Sequence, residues 1–170
     1  AAPGAGNFTR LDPGANPHNS LQNIWGRIMP TSNISNPVKI VFAASINVTI
    51  PAGTPNSPVI GTGNAYCNNL TIEPGALLTQ NNGGYFYVSG DFDTDEGQFI
   101  MNGASYLYFT GSTQTLWTPN YFDDYTNVRI LKNVNTATLQ LAEGSHVNCS
   151  GTFEIREGVF QLVGFLSVNN

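Results

Sequence analysis

The chain is 170 residues long, enough for one domain with a sizeable core and too short for two ordinary ones. Charged residues make up only 10% against about 25% in an average soluble domain, hydrophobic residues reach 41%, and 18 Gly and 10 Pro accompany much Asn, Thr and Ser; disorder and long exposed helices are both disfavoured. Six Lys and Arg against 11 Asp and Glu give a net charge of -5, which excludes the basic footprint of a nucleic-acid binder.

Residues 1–45 carry Pro3, Pro13, Pro17, Pro30 and Pro37 without sustained alternation and read as an irregular Pro/Gly-rich segment or N-terminal cap. The opening Ala1-Ala2-Pro3-Gly4 has neither a basic nor an apolar signal region, so any signal peptide is expected to have been removed. From residue 38 short alternating runs follow one another: Ile40 and Phe42, Ile46 with Val48 and Ile50, Leu70 and Ile72, Tyr106 to Phe109, Val128 and Ile130, Leu139 and Leu141. Turn chemistry separates them at Pro51-Ala52-Gly53, Glu73-Pro74-Gly75, Asn81-Asn82-Gly83-Gly84, Asn102-Gly103 and Glu143-Gly144. The expected class is all-β.

Internal repetition decides between all-β architectures. Ser89-Gly90-Asp91-Phe92 and Glu96-Gly97-Gln98-Phe99 recur, each displaced by 61, as Ser150-Gly151-Thr152-Phe153 and Glu157-Gly158-Val159-Phe160. Leu70 to Leu78 resembles Leu139 to Val147 at a displacement of 69, which places an insertion of eight residues near Asn81-Asn82-Gly83-Gly84. A rung cannot bury its inward row alone, whereas stacked rungs share a continuous apolar column. The chain therefore reads as a parallel β-helix, or solenoid, over 46–170, with about six coils of roughly 20 residues; a β-sandwich is the alternative.

Asn47-Val48-Thr49-Ile50-Pro51-Ala52-Gly53, Cys67-Asn68-Asn69-Leu70-Thr71-Ile72-Glu73-Pro74-Gly75-Ala76, Gly90-Asp91-Phe92, Met101-Asn102-Gly103 and Phe109-Thr110-Gly111-Ser112-Thr113-Gln114-Thr115-Leu116 follow in order. This series resembles the Asn/Gly/Thr-rich β-solenoid regions of large secreted and surface proteins of the Bacteroidetes, many exported by the type IX system. The resemblance covers about residues 46–168 and specifies architecture more than function. The segment 1–45 departs from it, lacking the Trp-rich opening apart from Trp25. Together with the composition, it implies an extracellular or cell-surface location.

Few constellations carry chemistry. Asp91, Asp93 and Asp95 have the opening spacing of a calcium loop, but Glu96 stands where the loop needs Gly and Asn102 where it needs Glu, so calcium is a weak expectation and no other cofactor is expected. His146 and Cys149 are three apart, which in a strand puts them on opposite faces; Cys149 matches Val88 at the 61-residue displacement and reads as a buried thiol. Cys67 and Cys149 fall on different rungs and are expected to be unpaired. A carboxylate pair for glycan cleavage would need Asp91, Asp93 and Asp123 to converge, and His18 has no motif around it; the chain reads as a non-enzyme.

Aromatic residues give the candidate contact surface: Tyr85, Tyr87, Tyr106, Tyr108, Trp117 and Tyr121, facing glycans or another subunit, or stacked as ladders along the solenoid. Two functions follow as expectations. One is a non-catalytic extracellular stalk, surface-layer or fibre element that associates end to end with copies of itself or with neighbouring domains of a longer chain. The other is a carbohydrate-binding adhesin module using the exposed aromatics. Neither nucleic acid nor membrane insertion is expected.

Overall fold

The computed structural model describes residues 46–53 and 56–169; the expected cap over 1–45, with His18 and Trp25, lies outside them. Among the described residues every regular element is a strand, and every strand pairing is parallel. The chain coils through three faces in turn. Rung one is β1 (Val48–Ile50), β2 (Val59–Ile60) and β3 (Gly63–Cys67); rung two is β4 (Leu70–Ile72), β5 (Leu77–Gln80) and β6 (Gly84–Val88); rung three is β7 (Phe92–Asp93), β8 (Gln98–Met101) and β9 (Tyr106–Phe109). Rung four has β10 (Thr115–Thr118) and β11 (Asn127–Leu131), rung five β12 (Thr138–Leu141), β13 (His146–Cys149) and β14 (Phe153–Glu157), and rung six β15 (Val159–Gln161) and β16 (Phe165–Val168). The solenoid expectation is met, and the sandwich is excluded by the parallel order β1-β4-β7-β10-β12-β15 along the first face.

Alternation explains each strand. Val48, Ile50, Leu70, Ile72, Phe92, Trp117, Leu139 and Leu141 point inward and are buried, whereas Thr49, Thr71, Asp93 and Gln140 point out. Stacking puts Val48 beside Leu70, Leu70 beside Phe92, Phe92 beside Trp117 and Trp117 beside Leu141, so the inward rows become columns. In the middle rungs these columns are aromatic: Phe92 meets Phe99 edge-on at 5.4 Å and Phe109 at 5.8 Å, and Trp117 meets Phe109 at 4.7 Å. Each such ring contributes about 1.5–3 kcal/mol through burial.

The two sequence displacements have different structural meanings. The one of 69 residues relates β4 and β12, both on the first face, and the turns that follow them, where Gly75 and Gly144 each adopt a φ of 75° in open space. Conformation rather than crowding requires glycine there. The displacement of 61 relates corners instead of rungs: Ser89-Gly90 leads from the third face into the first, Ser150-Gly151 from the second face into the third. What recurs is a corner device. Asn69 Oδ1 accepts the Asp91 N–H at 2.9 Å and Asn127 Oδ1 accepts the Thr152 N–H at 3.1 Å, while Ser89 and Ser150 donate to the carbonyls of Cys67 and Tyr125 in the preceding rung. No insertion lies at Asn81–Gly84, which is an ordinary corner between β5 and β6. Cys149 accordingly pairs in the stack with Tyr125 and Val168, whereas Val88 stands beside Cys67.

Candidate functional site

The outward side of the third face carries the tyrosines. Tyr66, Tyr87 and Tyr108 lie in register on β3, β6 and β9, with ring centroids 4.7 and 4.6 Å apart and planes within 15° of parallel. Tyr85 and Tyr106 form a second stacked pair at 5.7 Å. The column is finished by Arg129 on β11, whose guanidinium lies 5.3 Å from the Tyr106 and Tyr108 centroids. Its Nη1 donates to Tyr108 Oη at 3.0 Å and its Nε to Glu154 Oε2 at 2.6 Å. Burial and the neighbouring phenols Tyr108, Tyr66 and Tyr85 raise the Tyr87 pKa; hydrogen bonds from Arg156 and Arg129 lower that of Glu154.

Stacking covers both faces of Tyr87 and one face of Tyr66. What Tyr66, Tyr87 and Tyr108 present outward is edges and hydroxyls, and Tyr108 is itself largely buried. Trp117, expected at a contact surface, is fully buried: it occupies an inward position of β10, with Leu116 taking the exposed one, and its Nε1 donates to Tyr125 Oη at 3.2 Å. Tyr121 alone among the six expected contact aromatics projects freely, 72% exposed.

Tyr121 sits on a loop that replaces a strand of the second face in rung four. In rung four the second face has no strand, only bridges from Asp124 to Ile100 and from Tyr125 to Cys149. Residues 119–123 bulge outward and expose Tyr121 and Phe122. Asp123 turns inward to hold them. Its Oδ1 accepts the Phe99 N–H at 2.6 Å; its Oδ2 accepts from Asn120 N at 3.1 Å, Tyr125 Oη at 2.8 Å and the Thr94 hydroxyl. Burial pushes the Asp123 carboxyl up to about 6, against these four bonds, which favour its ionised form.

The loop overhangs a groove along the corner between the first and second faces. One section of about 260 Å³ is lined by Asp95, Thr118, Tyr121, Glu143 and His146, and the Tyr121 and His146 rings lie 5.6 Å apart. A second section of about 220 Å³, sharing Asp95 and Thr118, is lined by Glu73, Asp93 and Glu96.

The calcium spacing does not produce a site. Asp91 Oδ1 accepts the Leu116 N–H at 2.8 Å and Asp93 Oδ1 that of Asp95 at 3.3 Å, so two of the three carboxylates serve backbone turns. Among the described residues no three His, Cys, Asp or Glu side chains are arranged to hold a metal ion, and Asp123 is buried away from the exposed Asp91 and Asp93. His146 faces outward on β13 and Cys149 inward, where its thiol donates to the Thr126 carbonyl at 3.1 Å. Cys67 and Cys149 are both buried and free, and burial raises both thiols.

Sequence reasoning missed Lys132. It is fully buried at the corner after β11, with Nζ donating to Thr110 O at 2.9 Å and Thr115 Oγ1 at 2.6 Å, and burial lowers its ammonium to about 8. Position 158 must be glycine to admit it, since a Cβ there would lie 2.6 Å from Lys132 Cγ. No family model, curated protein or solved structure matches the chain.

Proposed function

We propose that the chain is a non-catalytic structural module of the cell surface, a stalk, surface-layer or fibre element that joins copies of itself end to end. The supporting observation is the outermost coil formed by β14, β15 and β16. Ile130 and Ile155 are register partners, as are Cys149 and Val168; Ile130 and Cys149 are fully buried, while Ile155 is 51% and Val168 42% exposed. Apolar residues in line with the core columns are thus partly exposed at this end of the described coils, where β14, β15 and β16 are the outermost members of their sheets.

Such an end is completed by another parallel coil of the same three-faced perimeter. The described coil that matches it in face order is rung one of this chain, where β1 and β3 are the opposite outer strands of the sheets that finish in β15 and β14, and β2 is the outer strand of β2-β5-β8 on the second face. A head-to-tail contact of this kind does not close on itself and generates filaments. The stacked tyrosines and the asparagine corners favour the same reading, because they spend their polar and aromatic groups on tying one rung to the next. Location at the surface, and kinship with the solenoid regions of Bacteroidetes proteins, rest on composition and on the resemblance of the turn motifs.

Electron microscopy of the intact chain tests the proposal. Rods whose lengths extend in increments of one solenoid are expected; isolated single particles at high concentration would contradict it.

A further inference from the structure

We propose that the groove beneath the Tyr121 loop binds saccharide chains that carry free amino groups. The position combines three properties. It is elongated, with two sections meeting at Asp95 and Thr118, and jointly they reach the size at which small ligands are held. Its lining contains carboxylates and no Lys or Arg: Asp95 and Glu143 in one section, Glu73, Asp93 and Glu96 in the other. At one end stands an unstacked aromatic face, since Tyr121 is 72% exposed and its neighbours Phe122 and His146 meet it edge-on or tilted.

The loop that supplies this ring is built at a cost. Keeping a carboxylate inside a solenoid is unfavourable unless every lone pair is used, and Asp123 is 4% exposed with four donors upon it. A plain rung would have replaced residues 119–125 with a strand such as β8 or β13 and left no buried charge. In repeat architectures, departures from the rung concentrate on a binding face. Here the departure displays two aromatic side chains beside a row of carboxylates.

The ligand chemistry follows from the lining. The C–H face of a pyranose packs on an aromatic ring, and carboxylates accept hydrogen bonds from sugar hydroxyls and, more strongly, from ammonium groups. Uronate and sulfated chains are repelled by five carboxylates without a compensating cation. Among the stacked tyrosines of the third face, Tyr87 has both ring faces covered, by Tyr66 and Tyr108, and the column lacks the groove's row of carboxylates.

Calorimetric titration at low salt with a glucosamine hexamer, an N-acetylglucosamine hexamer and polygalacturonate tests this directly. The free-amine oligomer binds, the acetylated one binds at least tenfold more weakly, and polygalacturonate does not bind. Tyr121→Ala weakens binding by about tenfold while leaving the charge unchanged, and Tyr121→Phe retains it. Glu143→Gln, on an exposed turn, weakens it independently. Equal binding by Tyr121→Ala would reveal mere attraction of a polycation to an acidic protein and overturn the proposal; so would equal affinity for the acetylated oligomer, or no binding at all.

Discussion

Asn69 occupies the space that a side chain at position 90 would need: a Cβ on Gly90 would lie 1.8 Å from Asn69 Oδ1. The same oxygen accepts the Asp91 N–H, and Asn47 Oδ1 repeats the bond one rung earlier with the Asn69 N–H at 3.3 Å. Asp91 continues it to Leu116 N. In this ladder a short side-chain oxygen, from Asn47, Asn69 or Asp91, accepts a backbone amide of the next rung, which gives Asn a structural use at these corners.

Gly90→Ala should therefore destabilise by about 1–3 kcal/mol, by forcing Asn69 to rotate and release the Asp91 N–H. Asn69→Ala removes the obstacle together with the bond. In that background the second change should cost little, giving a coupling of about 0.5–3 kcal/mol in a urea-unfolding double-mutant cycle. Strict additivity would show that the corner does not work this way.

Asp123 gives the chain an unusual pH dependence. Its folded pKa, about 6, lies above the ordinary value of 3.8, so the folded state holds the proton more tightly. Its contribution is favourable below the unfolded value and is lost as pH rises through about 6, amounting to about 3 kcal/mol between the two limits. Stability measured from pH 4 to pH 7 should fall in the parent and stay flatter in Asp123→Asn. A parallel pair of curves would refute the assignment.

Lys132 acts in the alkaline range. Its pKa is lowered from 10.5 to about 8, so the unfolded chain binds the proton more tightly and stability should rise as pH increases from about 8 to 10. Lys132→Met removes the titrating group while keeping a straight apolar stem of similar length. Thermal unfolding of this variant should lack the alkaline rise, and an identical rise in both proteins would place the buried charge elsewhere.

The tyrosine column makes a mechanical claim. Tyr87 lies between Tyr66 and Tyr108, so Tyr87→Ala breaks two stacked contacts and should cost about 1–3 kcal/mol, more than Tyr121→Ala, whose ring is largely in solvent. Chemical denaturation of the two variants side by side checks the order.

The architecture was legible because inward and outward residues alternate in every rung and the turns between them are written in Gly, Pro and Asn. Leu70 to Leu78 and Leu139 to Val147 look alike because both leave the first face through one turn type. The Ser-Gly recurrence does not measure whole rungs, since a corner device recurs wherever the backbone needs it and carries no label of its face. Trp117 is a candidate contact residue by type, but it shares the inward parity of Thr115 on β10. Asp123 and Lys132 left little trace in one dimension: their partners Thr94, Phe99, Thr110 and Thr115 come from other coils or other corners. The Asn120 to Asp123 spacing was the available signal, as Asn120 Oδ1 accepts the Phe122 N–H at 2.8 Å in an Asx turn.

End-to-end association is tested most directly by sedimentation velocity of the intact chain over a concentration series, with an Ile155→Asp, Val168→Asp double variant alongside. Both positions are about half exposed, so two carboxylates there leave the solenoid folded while burdening any coil stacked upon it. The parent should show species that grow with concentration, and the variant a single monomer boundary. A parent that stays monomeric at every concentration, or a variant that associates as readily, would contradict the coil of β14, β15 and β16 as the joining surface.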